Sequence, residues 1–78
     1  MFYYIQSIEQ VVGEEENTYD EYGKMEKVAT YEAALSKYYK KLSDVAADLG
    51  KNHTYMNIQI LSSVGTSMKS DFIGEYKA

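Results

Sequence analysis

The chain contains no cysteine, no proline, no tryptophan and no arginine, and its one histidine is His53. Each absence removes a class of protein. Without cysteine there is no disulfide to staple a small fold and no thiolate metal site. That absence fits a reducing, intracellular setting. A single histidine leaves a single nitrogen ligand for any metal. Arginine is the side chain that forks onto phosphates and guanine edges. All eight basic residues here are lysine and the net charge is −4, which argues against direct nucleic-acid binding. No apolar run approaches the ~20 residues of a transmembrane helix. Met1 to Ile8 is apolar but short, has no basic flank and no small-residue cleavage site, and does not read as a signal peptide. Asn52-His53-Thr54 matches the N-glycosylation pattern. In a chain without a secretion signal it reads as a chance match.

What is present is one domain's worth of chain, 78 residues with nine tyrosines. A domain this small sits near the lower limit for a self-sufficient core. Tyrosine is over-represented in protein interfaces and is also an ordinary half-buried strand residue.

Met1 to Val12 reads as a strand, with Phe2, Tyr4 and Ile8 on one parity and Tyr3, Ile5 and Val11 on the other. Two apolar faces predict a central strand, or a bulge that switches parity. Gly13 to Asp20 has no apolar periodicity and is crowded with acids, so it is expected as a solvated loop. Tyr22 to Val28 is expected to return as an edge strand, with Lys24 and Lys27 discouraging unwanted pairing.

The helix pattern is the strongest in the chain. Thr30 is the N-cap, Glu32 lies in the first turn, and Tyr31, Leu35, Tyr38, Leu42, Val45 and Leu49 recur on one stripe. Gly50 supplies the stop. Met56, Ile58 and Ile60 alternate with Tyr55, Asn57 and Gln59 over Thr54 to Leu61, a third strand whose first set is expected to face the helix. A turn around Gly65 leads to a fourth strand, Met68 to Tyr76. The expected fold is α+β, in the order β-β-α-β-β, with one amphipathic helix of about five turns on one face of an antiparallel sheet in spatial order 2-1-3-4. One helix covers one side. Tyr55, Leu61 and one parity of the first strand are left on the other.

Residues in patterns that carry chemistry are few. His53 falls at the helix-to-strand junction and reads as a surface or turn histidine. Glu14, Glu15, Glu16, Asp20 and Glu21 lack the ligand spacing and turn glycine of an EF-hand loop. They read as a solvated loop or, as a second functional reading, as a phosphate mimic. The glycines build no phosphate cradle, the serines sit in no nucleophile elbow, and Lys37, Lys40 and Lys41 are partly neutralised by Asp44 and Asp48. No catalytic residue, metal ligand or cofactor is expected, and an enzyme is not.

The tyrosine-rich opening Phe2-Tyr3-Tyr4-Ile5, the helix start Ala29-Thr30-Tyr31-Glu32-Ala33-Ala34-Leu35, and the strand Tyr55-Met56-Asn57-Ile58-Gln59-Ile60-Leu61 running on to Phe72 follow in an order that resembles small, mostly uncharacterised accessory proteins of phages and prophages of Gram-positive bacteria. The likeness spans most of the chain as a pattern and transfers no functional residues. It implies a phage-accessory setting in the cytoplasm of the bacterial host. Small acidic proteins there act by binding host machinery, as anti-CRISPR and other anti-defence inhibitors do. The expectation is a non-enzymatic inhibitor that occludes a host protein through Glu14, Glu15, Glu16, Tyr19, Asp20, Glu21, Tyr22 and Tyr55, without membrane or direct nucleic-acid contact. A monomer or a homodimer fits that inhibitor. The alternative is a homo-oligomeric structural or assembly component, which would form a stable higher oligomer.

Overall fold

Thr30 caps the helix as the sequence predicts: its hydroxyl accepts from the Ala33 amide at 3.2 Å. The computed structural model describes residues 1–77. Three strands precede the helix α1 (Tyr31–Ala46): β1 (Tyr3–Val12), β2 (Thr18–Tyr22) and β3 (Glu26–Val28). Two follow it: β4 (His53–Ser62) and β5 (Ser67–Gly74). The strands pair antiparallel, in the order β2-β1-β4-β5, and β3 joins the same side of β1 as β2. The two long strands are central, as the apolar patterns require, and the expected α+β class and strand order hold.

Four local expectations are corrected. The expected second strand is two short ones, broken at Gly23 to Met25. Gly23 explains the break. Its amide donates to Ser7 O at 2.9 Å, and a Cβ there would overlap the Ser7 hydroxyl. The acidic loop is shorter than expected, because Thr18, Tyr19 and Asp20 already lie in β2, paired with Val12, Val11 and Gln10. The helix ends at Ala46, before Leu49. Just beyond it, the Asp48 carboxylate takes His53 and Asn52 as partners. Such side-chain bonding competes with helix continuation. Gly50 still supplies a left-handed residue, φ +83°. Finally, Tyr76 is not in the last strand. The chain turns at Gly74, φ +77°, where a Cβ would strike Thr54 O.

The core lies between α1 and one sheet face. Ile5, Val28, Met56, Ile58 and Ile60 from the sheet meet Ala34, Tyr38 and Val45 from the helix. Ile5 faces Ile60 and Tyr3 faces Ser62, so the odd residues of β1 lie under the helix. Tyr4, Gln6 and Ile8 therefore look away from it. The β1–β4 register shifts between Gln10 and Val11. Tyr38 is fully buried, and its hydroxyl donates to the Asp71 carboxylate on β5. Burial first, then that carboxylate, raises the phenol well above its ordinary value.

Candidate functional site: the uncovered face of the sheet

Alternation along each strand sends every second side chain to the face opposite the helix. The registers then line those residues up in rows. One row runs Tyr22, Ile8, Asn57, Phe72 from β2 to β5. At about 4.8 Å per strand it spans roughly 14 Å. Its two ends are aromatic and open, Tyr22 at 74% and Phe72 at 70% exposure. The neighbouring row runs Asp20, Gln10, Tyr55, Gly74. On the other side, Gln6 faces Gln59, and the two amides are joined at 2.8 Å. Beyond them Tyr4 faces Leu61, with the Phe2 ring edge-on to Tyr4 at 5.5 Å and Lys27 above Phe2 at 3.9 Å.

The segment after β5 folds back over one end of this face. Gln10, only 2% exposed, clamps it: its Nε2 donates to Lys77 O at 2.5 Å and its Oε1 accepts from the Lys77 amide at 2.7 Å. Thr54 donates to the same Oε1 at 2.7 Å. The clamp sets Tyr76 edge-on to Tyr55 at 5.5 Å. The Tyr76 hydroxyl donates to both Asp20 oxygens at 3.0 Å, and that bond, aided by burial, holds the phenol above its ordinary value. Tyr76 is thus a neutral donor that ties β2 to β4. Phe72 lies on the other flank of Tyr55, with ring centroids 6.4 Å apart.

The residues singled out from sequence divide into three groups. Asp20, Tyr22 and Tyr55 share the uncovered face. Tyr19 and Glu21 also lie on β2 but belong to the opposite parity, on the helix side of the sheet. Glu14, Glu15 and Glu16 form an exposed turn at the end of the β1–β2 hairpin. Sequence reasoning did not single out Phe72, Tyr76 and Gln10. The fold-back that delivers Tyr76 has no local signal, because it depends on a clamp between Gln10 and Lys77, sixty-seven residues apart.

His53 is not a simple surface histidine. It begins β4, half-buried, with Nδ1 2.5 Å from Asp48 and Nε2 3.3 Å from Glu9. Both ring nitrogens are directed at carboxylates. Among the described residues, no group of three or more His, Asp or Glu side chains is arranged to hold a metal ion. No helix among them is long and apolar enough to cross a membrane.

The uncovered face is rich in tyrosine, phenylalanine and side-chain amides, and poor in charge. Such a surface can bury apolar area while its hydroxyl and amide tips find partners. Comparison with protein-family models, with curated proteins and with solved structures returns no match.

Proposed function

We propose that this chain is a non-enzymatic interaction protein that occludes a surface of a host protein, in the manner of a phage-encoded inhibitor of a bacterial defence system. The observation that supports this reading is the uncovered sheet face. Two open aromatics, Tyr22 and Phe72, flank a low-charge floor of Ile8 and Asn57. Aromatic anchors of this type dominate binding energy at protein interfaces, and tyrosine beside amides is the chemistry of adaptable paratopes. The negative charge of the hairpin turn beside the face would set approach rate and partner sign more than affinity. The phage setting rests on the sequence resemblance.

The test is phage plating on a bacterial strain that carries a defence system, with and without this chain expressed. Restored plating, lost in a Tyr22→Ala/Phe72→Ala variant that remains folded, supports the reading. Unchanged plating across a panel of defence systems, with no host protein retained by the immobilised chain, overturns it.

A further inference from the structure

We infer that β5 is a self-pairing edge along which a second copy of this chain docks antiparallel, with the two-fold axis at Ser70. The inference is independent of the inhibitor reading. The two edges of the sheet differ. The β2–β3 edge is interrupted at Gly23 to Met25 and carries Asp20, Glu21, Glu26 and Lys27, a short and charged edge of the kind that resists pairing. The β5 edge is one strand of eight residues, without proline, bulged at Met68 and in regular register from Lys69 to Gly74, and its only charges are Lys69 and Asp71.

The backbone phase of that edge is fixed. The Glu75 amide donates to Thr54 O at 2.8 Å, directly opposite in the β4–β5 register. Pairs at steps of two from it, ending with Ile58–Asp71 and Ile60–Lys69, therefore exchange the ladder bonds. Ser70 and Phe72 are left with N–H and C=O turned outward. These are the groups a second strand needs.

Charge then selects the register. An axis at Lys69 sets Lys69 against Lys69, and an axis at Asp71 sets Asp71 against Asp71. An axis at Ser70 sets Lys69 of each copy against Asp71 of the other, twice, and Met68 against Phe72. The segment Met68-Lys69-Ser70-Asp71-Phe72 is thus complementary to its own reverse. Within one chain Lys69 and Asp71 are 3.7 Å apart, with side chains 30% and 42% exposed, so each remains reachable by a partner. Phe72 lies on the uncovered face, and the two uncovered faces become one continuous surface.

The test is sedimentation equilibrium together with single-cysteine cross-linking, which the cysteine-free chain permits. Ser70→Cys should form a disulfide with its own copy faster than Lys69→Cys or Asp71→Cys, because facing residues of a bonded pair lie about 5.5 Å apart at Cα, within disulfide reach. Lys69→Asp should weaken dimerisation by about tenfold. Ser70→Pro removes only an outward N–H and should give a folded monomer. A wild-type monomer throughout the micromolar to millimolar range overturns the inference. So does cross-linking at position 70 no faster than at 69 and 71, or a dimer that survives Ser70→Pro.

Discussion

His53 bridges two elements that no backbone ladder joins: its Nδ1 meets Asp48, just past the helix, at 2.5 Å, and its Nε2 meets Glu9 of β1 at 3.3 Å. Burial alone would lower the imidazole below its ordinary 6.5. The bond to Asp48 and the charge of Glu9 outweigh that and raise it. The bond to His53 holds Asp48 below its ordinary 3.8. The signs give opposite edges to one pH window. A histidine with a raised folded value adds stability that is complete below 6.5 and is lost as pH climbs through the raised value. An aspartate with a lowered value adds stability that is present above 3.8 and is lost as pH falls through the lowered value. The melting temperature is therefore expected to be highest between about pH 4 and 6.5 and to decline on the alkaline side. His53→Gln should remove that alkaline decline, as read from thermal melts at a series of pH values. An identical pH profile in the variant would show that the bridge contributes nothing.

Glu15 and Glu16 hold left-handed backbone, φ 57° and 62°, in the turn that closes the β1–β2 hairpin. The Asn17 amide donates to Glu14 O at 3.1 Å across it. Two successive left-handed residues form the hairpin turn that favours Asn-Gly, and a side chain other than glycine or asparagine is costly there. Glu15→Asn/Glu16→Gly is expected to stabilise the chain by about 1 kcal/mol, measured by urea denaturation. Charge reversal of Glu14, Glu15 and Glu16 tests something else: it should weaken a host-protein complex while the stability changes little, whereas reversal of Asp20 would also remove the acceptor of the Tyr76 hydroxyl. Comparing the two variants separates the turn's backbone from its charge.

Tyr38 is the polar keystone of the core, since its ring is fully buried and its hydroxyl reaches the Asp71 carboxylate. Tyr38→Phe keeps the ring and removes that bond. It should cost about 1.5–3 kcal/mol, the range for a hydrogen bond to a charged group. Asp71 would retain Lys69 at 3.7 Å. Tyr38→Ala adds a cavity and should cost about 3–5 kcal/mol. Chemical denaturation of both variants ranks the two contributions. Equal losses would mean that the hydroxyl, rather than the packing, dominates.

The elements that sequence located well are those whose pattern is local and periodic. The stripe from Tyr31 to Val45 and the alternation of Met56, Ile58 and Ile60 each encode one buried face, and Thr30 encodes its own cap. What sequence left open depends on distant partners. The parity of β1 is decided by which of its residues meets Ile60, and both parities were apolar. The break at Gly23 follows from the close approach of Ser7. The site was half legible: the uncovered face followed from counting helices and Tyr55 was placed on it, while Tyr22 was expected beside the acidic loop. Tyr19 and Glu21 were grouped with Tyr22 because the segment was read as a loop. In a strand, adjacent residues point to opposite faces.

Gln10 offers the sharpest way to separate the face from the fold beneath it. It is a buried amide whose carbonyl accepts from Lys77 and Thr54 and whose amino group donates to Lys77 O. Gln10→Leu has a similar volume but orphans those partners, at an expected cost of about 1–3 kcal/mol. It should also release residues 75–77 from the sheet, seen as faster amide exchange at Lys77 and loss of the Tyr76–Tyr55 ring contact by NMR. Tyr22→Ala and Phe72→Ala remove open side chains and should each change stability by no more than about 0.5 kcal/mol. Truncating an interface anchor commonly costs about 2 kcal/mol or more of binding energy. If the uncovered face is the binding surface, both alanine variants lose affinity with their stability intact. Gln10→Leu loses stability, and its affinity falls only as far as Tyr76 takes part. Retained affinity in Tyr22→Ala/Phe72→Ala would exclude this face and move the search to the turn at Glu14 to Glu16.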